Sequence, residues 1–342
     1  MSQLTREAEL NARPGLRGRL GLGGSPAVLP EQDTSGADRL ARKTRKQRSL
    51  WGNAWRQFRH HRLAMAGLVL FLGFTVFTFI GNAIYPREID AIDFLRTDAT
   101  PSLDFPFGTD ALGQDMLARA LWGGRISIAV GLVAALVSIT LGTAIGAAAG
   151  FFGGPSDSLL MRLTDMFLAL PQLPLLLMIT YLFRESVNRF FEERTGSDIL
   201  GTFVLIVVVI GALNWMPTAR LVRASFLSMK EKEFVEAATS IGATRSSLIF
   251  KHILPNVMSP IIVAATLGVG AAIITESTLS FLGLGFPSDI PTWGSMLFDA
   301  RDRIELAPHE AIIPGMLIFL TVLSINYVGD GLRDALDPRK TQ

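Results

Sequence analysis

The chain has 342 residues, of which 49% are hydrophobic and 18% charged, with a formal net charge of +2 and a mean hydropathy of +0.38. So many apolar residues among so few charges must stand in blocks, which excludes an ordinary soluble domain and points to membrane spans joined by polar loops. With no cysteine, disulfides and thiolate metal sites are excluded, and the histidines His60, His61, His252 and His309 show no metal-ligand spacing; no cofactor is expected.

Residues 1–49 hold Gly, Pro, Ser and many Arg without an apolar run and read as a disordered tail. It has no short apolar core with a cleavage site, so a removed signal peptide is not expected. Its last stretch, Arg42 to Arg48, stands directly before the first apolar block, where contact with anionic membrane lipid explains the basic residues better than nucleic acid does.

Six apolar blocks follow, over residues 63–84, 126–152, 163–183, 199–216, 257–274 and 311–328. Each approaches the ~20 residues that a bilayer-crossing helix requires. The expectation is an all-α integral membrane protein with six transmembrane helices, the third interrupted by Pro171 and Pro174. With the N-terminus inside, the inner segments carry 23 Lys and Arg and the outer ones 9, so both termini are expected in the cytoplasm. The outer segments are acidic, with Glu88, Asp90, Asp93, Asp98, Asp104, Asp110 and Asp115 in the first, and read as solvated loops. In the second block Gly142, Gly146 and Gly150 recur every four residues, which places them on one helix face and allows close approach of another helix.

The segment between the fourth and fifth blocks, residues 217–256, is the most informative. Phe234, Ala237, Ala238 and Ile241 fall at i, i+3, i+4 and i+7 and form an apolar stripe on a short helix that also carries Glu236. Gly242 supplies the left-handed residue that ends it. Thr244 caps a second short helix that runs to Leu254 and is stopped by Pro255, giving a helix-turn-helix elbow. Tethered at both ends to spans and poor in basic residues on any one face, it is not a nucleic-acid reader. Its stripe needs cover, either from the chain's own bundle or from a groove in a cytoplasmic subunit, and the pattern alone suits both.

The spacing Glu236-Ala237-Ala238, Gly242, Leu254-Pro255 resembles the EAA loop of binding-protein-dependent ABC importers, although His252 stands where the consensus has Ile. Further segments are similar to the second membrane subunit of dipeptide, oligopeptide and nickel importers: residues 107–115, 124–127, 152–154, 279–285 and 329–339, a likeness covering residues 51–339. Gln114 departs from an Arg common in that branch. The resemblance implies a type I permease bundle that pairs with a second homologous permease subunit, two cytoplasmic ATP-binding subunits and an extracytoplasmic solute-binding protein. It also implies that Phe234, Glu236, Ala237, Ala238, Ile241, Gly242, Leu254 and Pro255 couple the chain to the ATPase. The organisation then expected is a tail (1–49), a juxtamembrane segment with the first span and outer loop (50–123), a permease core (124–331) and a short cytoplasmic tail (332–342).

No Gly-x4-Gly-Lys-Ser/Thr occurs, so ATP is expected to bind elsewhere, and no acid, base or metal constellation suggests catalysis in this chain. Glu276, just beyond the fifth block with no charge nearby, is a candidate for the translocation path, against a structural role as a cap or hydrogen-bonding group. Trp293 reads as an aromatic anchor at the outer interface, and Asp330, Arg333 and Asp334 as helix-end or ion-pair residues. Peptides are the expected cargo, with nickel or another small solute as the alternative within the same family. An ATP-independent secondary transporter is the rival outside it; no internal repeat favours that.

Overall fold

Every apolar block becomes helix, and the departures from the expected spans lie where proline and asparagine interrupt them. A computed structural model describes residues 50–287 and 289–337. The expectations for residues 1–49, for the basic stretch within them and for Pro338 and Arg339 fall outside the described residues. The helices are α1 (Leu50–His60), α2 (Arg62–Ile84), α3 (Met116–Phe152), α4 (Gly154–Ala169), α5 (Gln172–Thr195), α6 (Asp198–Leu213), α7 (Met216–Lys230), α8 (Glu233–Ser240), α9 (Leu254–Phe281), α10 (Trp293–Ala300) and α11 (Pro308–Leu336).

Helices α2, α3 and α11, and the helix that runs from Arg245 through α9 to Phe281, are each long and apolar enough to cross a membrane. Two bent pairs bring the total to six spans if each pair counts as one: α4 with α5 at 88°, and α6 with α7 at 46°. The third span, expected over 163–183 with interruptions at Pro171 and Pro174, is broken at the first of them and turns sharply there. Leu170 is extended ahead of Pro171, which disfavours helical backbone in the residue before it, and α5 restarts with Pro171 as its cap. Nor does the fourth span end at Met216. After a bend at Asn214 and Trp215 the chain re-enters helix with Pro217 in the first turn of α7, where its missing N–H costs nothing, and continues to Lys230.

Helix α3 is the central post. It packs on α7 and α9, while α11 packs on α2 and α9, and α5 on α6. The expected glycine face carries the first contact. A β-carbon at Gly142 would stand 2.6 Å from the Thr218 Cβ, and one at Gly150 2.7 Å from the Phe226 Cβ, so α7 can lie this close only against glycine. One core joins α3, α5, α6 and α9 through Val130, Leu176, Ile206, Ile210 and Ala272. A second gathers Phe151, Phe226, Val235, Leu248, Ile253 and Val257 under α8.

Most of the α2 surface is exposed and apolar, with only Ala64, Gly67, Thr78 and Gly81 buried, as suits a helix bounded by lipid. At the start of the described residues α1 seats Ala54 and Phe58 against Ala335. There Gln57 donates to the Asp334 carbonyl at 2.9 Å, and His61 lies 3.8 Å from its carboxylate.

Candidate functional site

Helix α8 hangs at one end of the bundle between two arms that the packing holds fixed. The first arm, α7, is gripped by the α3 glycines and by charge. The Arg223 guanidinium donates to both Asp157 oxygens at 2.5 and 2.6 Å. Arg220 meets Asp165 at 2.5 Å, and the Lys230 ammonium donates to the Phe151 carbonyl at 2.8 Å, at the C-terminus of α3 where a cation complements the helix dipole. These pairs tie α7 to α3 and α4 across more than fifty residues of sequence, and no local pattern signals them.

Glu233 and Glu236 occupy the first turn of α8, where the dipole favours carboxylates. Its end is a complete C-terminal cap. The N–H of Gly242 donates to the Thr239 carbonyl and that of Ala243 to the Ala238 carbonyl, both at 3.0 Å, with Gly242 left-handed at φ 86°. The Thr244 hydroxyl then accepts from the Ser247 N–H at 3.3 Å and starts the second arm. That arm does not stop at Leu254. It passes through wider π-type turns over Leu248–Ile253 straight into α9, with Pro255 in the first turn of that helix. The expected second short helix is thus the foot of a span: the wider turns carry the chain past Pro255, and Pro260 too stands inside α9 without ending it.

The expected apolar stripe also divides. Ala238 is buried, together with Val235, against Phe226, Leu248 and Ile253. Phe234, Ala237 and Ile241 point away from the bundle, Phe234 being 42% and Ile241 87% exposed. Of the two covers that the pattern allowed, the chain's own bundle takes one face of α8, and the other face is open. Phe250, also exposed, extends the open side, while Glu236 and Pro255 are exposed and Leu254 is half-buried.

Glu276 lies at the opposite end of α9. It is fully buried and accepts from the hydroxyls of Ser280 at 2.8 Å, Ser127 at 3.1 Å and Ser277 at 3.5 Å. It touches no open surface. Trp293 is not an interfacial anchor either. It is fully buried, and its indole N–H donates to the Ala120 carbonyl at 3.0 Å, because α10 turns back into the bundle against α3.

The acidic segment expected on the outside is not simply solvated. Asp115 caps α3 and also accepts from the Tyr85 hydroxyl at 2.6 Å and from Arg87 at 3.1 Å. Burial, together with the adjoining carboxylate, pushes the Tyr85 phenol up to about 12. Arg119 reaches Gln114, Asp110 and Asp299, and Arg303 pairs with Asp98. Gln114, to which no role was assigned, is a buried acceptor in this network.

Residues 142–342 match the family model described as binding-protein-dependent transport system inner membrane component. Residues 49–101 match the N-terminal TM domain of oligopeptide transport permease C. The oligopeptide transport system permease protein OppC of Haemophilus influenzae is 38% identical over 89% of this chain and 93% of its own length. The protein of the same name from Bacillus subtilis is 35% identical over 92% and 98%. The glutathione transport system permease protein GsiD of Pectobacterium atrosepticum is 37% identical over 85% and 92%.

Proposed function

The chain belongs to the family of binding-protein-dependent transport system inner membrane components, and from that premise we propose that it forms half of a peptide-translocating pathway and takes its driving force through α8. As a member it is a multi-pass inner-membrane permease subunit. The names of its relatives, which refer to oligopeptides and glutathione, support short peptides as cargo. In this reading a second, homologous permease supplies the other half of the pathway, two ATP-binding subunits sit at the α8 end, and a solute-binding protein delivers cargo at the α10 end. Both termini and residues 217–256 then face the cytoplasm, in line with the 23 to 9 distribution of Lys and Arg.

The observation that carries the reading is the open face of α8. Phe234, Ala237 and Ile241 leave the protein as apolar side chains on a short helix clamped at both ends. An isolated apolar patch of this kind marks a docking surface, and helix-in-groove recognition uses such spacing. Glu236, Gly242, Leu254 and Pro255 shape that helix and its two arms, while Ala238 anchors it to the bundle. Because α8 sits between α7 and α9, a push on it moves two spans as rigid bodies, which suits alternating access. Nothing in this chain performs hydrolysis in that scheme; the ATP-binding partners do.

Co-purification in mild detergent tests it. Recovery of the chain with a second permease and an ATPase pair, and uptake by vesicles that stops when ATP is withdrawn, is the expected result. Recovery of the chain alone, with uptake that persists without ATP, overturns the reading in favour of a secondary transporter.

A further inference from the structure

The geometry points to Glu276 as a positioning residue that pins α10 to the span carrying the coupling elbow, so that movement at α8 is delivered to the opposite end of the protein. The inference rests on the reading of α8 as the coupling helix. From Leu254, at the foot of the elbow, to Glu276 the chain is continuous helix, roughly 33 Å at 1.5 Å per residue. One helix, uninterrupted although Pro260 stands within it, therefore has the elbow at one end and this carboxylate near the other.

Around Glu276 three segments meet. Ser277 and Ser280 belong to its own helix, Ser127 to α3, and the Thr292 hydroxyl stands beside the carboxylate at the start of α10. Ser127 also accepts from the Trp293 backbone N–H at 3.4 Å, so one hydroxyl links the carboxylate on α9 to the first turn of α10. The fit is close on the other side as well. A β-carbon at Gly294 would lie 2.6 Å from the Ser277 Cα, and one at Gly124 2.7 Å from the Trp293 ring.

No Lys, Arg or His contributes to this cage. A leucine would fill the same space without the cost of burying a carboxyl group, which is several kcal/mol where water is excluded. What the carboxyl group adds is direction. Its two oxygens receive hydroxyls from separate segments and fix their register, as a buried polar network does when every member has a partner. Since Glu276 has no exposed surface, it does this without facing cargo.

The test uses the complete importer in nanodiscs, with Glu276→Ala, Glu276→Gln and Ser127→Ala. Hydrogen exchange reads the pin itself. Amides over residues 290–300 should exchange about tenfold faster in Glu276→Ala, the scale set by loss of buried hydrogen bonds, while those over 142–150 stay unchanged. Glu276→Gln, which keeps the shape and one acceptor oxygen and offers a serine oxygen an amide N–H in place of the other, should restore protection. ATP hydrolysis reads its use: the basal rate should stay within about twofold in every variant. Stimulation by peptide-loaded binding protein should fall about tenfold in Glu276→Ala, part-way in Ser127→Ala and little in Glu276→Gln. Unchanged exchange over 290–300 in Glu276→Ala overturns the pin, as does uniform loosening of the whole chain. Faster exchange with undiminished stimulation overturns its role in transmission, and Gln failing as badly as Ala shows that charge rather than the hydroxyl cage matters. If Glu276→Ala does not assemble, normal stimulation and protection in Ser127→Ala refute the proposal on their own. A wild-type complex without ATP hydrolysis refutes instead the reading of α8, while exchange still decides the pin.

Discussion

At the α8 end, Phe234 and Ile241 hold apolar side chains out of the protein, whereas at the α10 end Glu276 and Trp293 hold polar groups wholly inside it. Each end departs from the usual partition of residues, in opposite senses, and the difference separates two kinds of task. The apolar residues at α8 have no cover within the chain and call for another surface. The polar groups at α10 have their partners within the chain, so they serve to fix one helix against others. The rod between them, α9, is what gives the contrast mechanical meaning.

The contrast breaks most completely at the turn. Gly242→Pro forbids the left-handed backbone at φ 86° and deletes the N–H that Thr239 accepts. Insertion into the membrane should be normal, while ATP-dependent uptake falls by about 100-fold or more, since α8 loses its aim. Normal uptake by that variant removes α8 from the mechanism.

Next in size is the grip on α7. Gly146→Leu puts a side chain where a β-carbon would already stand 2.9 Å from the Val222 Cβ. Overpacking of this kind costs roughly 1–3 kcal/mol, which should appear as a lowered melting temperature in detergent. The same substitution at Gly268, which has only the Ala135 Cβ at 3.8 Å nearby, should cost less.

Smaller again is the Arg223–Asp157 pair. Asp157→Asn leaves the guanidinium without its bidentate partner, but both side chains are partly exposed, so a loss of about 1 kcal/mol is expected. It should weaken ATPase binding without altering exchange around Glu276.

The smallest effect sharpens the α10 end. With its phenol raised to about 12, folded Tyr85 keeps its proton longer than an unfolded one. Its contribution to stability is full below about pH 10 and is lost as the pH climbs towards 12. An alkaline absorbance titration of Tyr85→Phe should lack that late component.

Much of this was legible in the sequence because it depends on local spacing. The apolar blocks, the Gly142, Gly146 and Gly150 face and the Gly242 cap follow from helical period and backbone freedom. The open and closed faces of α8 did not separate, since Val235 and Ala238 are assigned to the interior by Leu248 and Ile253, residues of a different arm. The interruption at Pro171 was legible but not its 88° turn, and the bend at Asn214 was hidden, because hydropathy ignores direction. Trp293 was misplaced for a related reason: aromatic residues favour interfaces on average, but α10 folds back, and only the contact with Ala120 reveals it. The ion pair of Arg223 and the hydrogen bond of Lys230 join segments 66 and 79 residues apart, beyond any sequence window.

The central claim, that the open face of α8 seats in the ATPase, is tested most directly by chemistry the chain makes convenient, since it has no native cysteine. Ile241→Cys and Ala238→Cys are exposed in inside-out vesicles to a membrane-impermeant maleimide, with and without the ATP-binding subunits. The account predicts rapid labelling at 241 in the absence of those subunits, protection when they are bound, and little labelling at 238 in either state. Equal labelling at 241 with and without the ATP-binding subunits would contradict it.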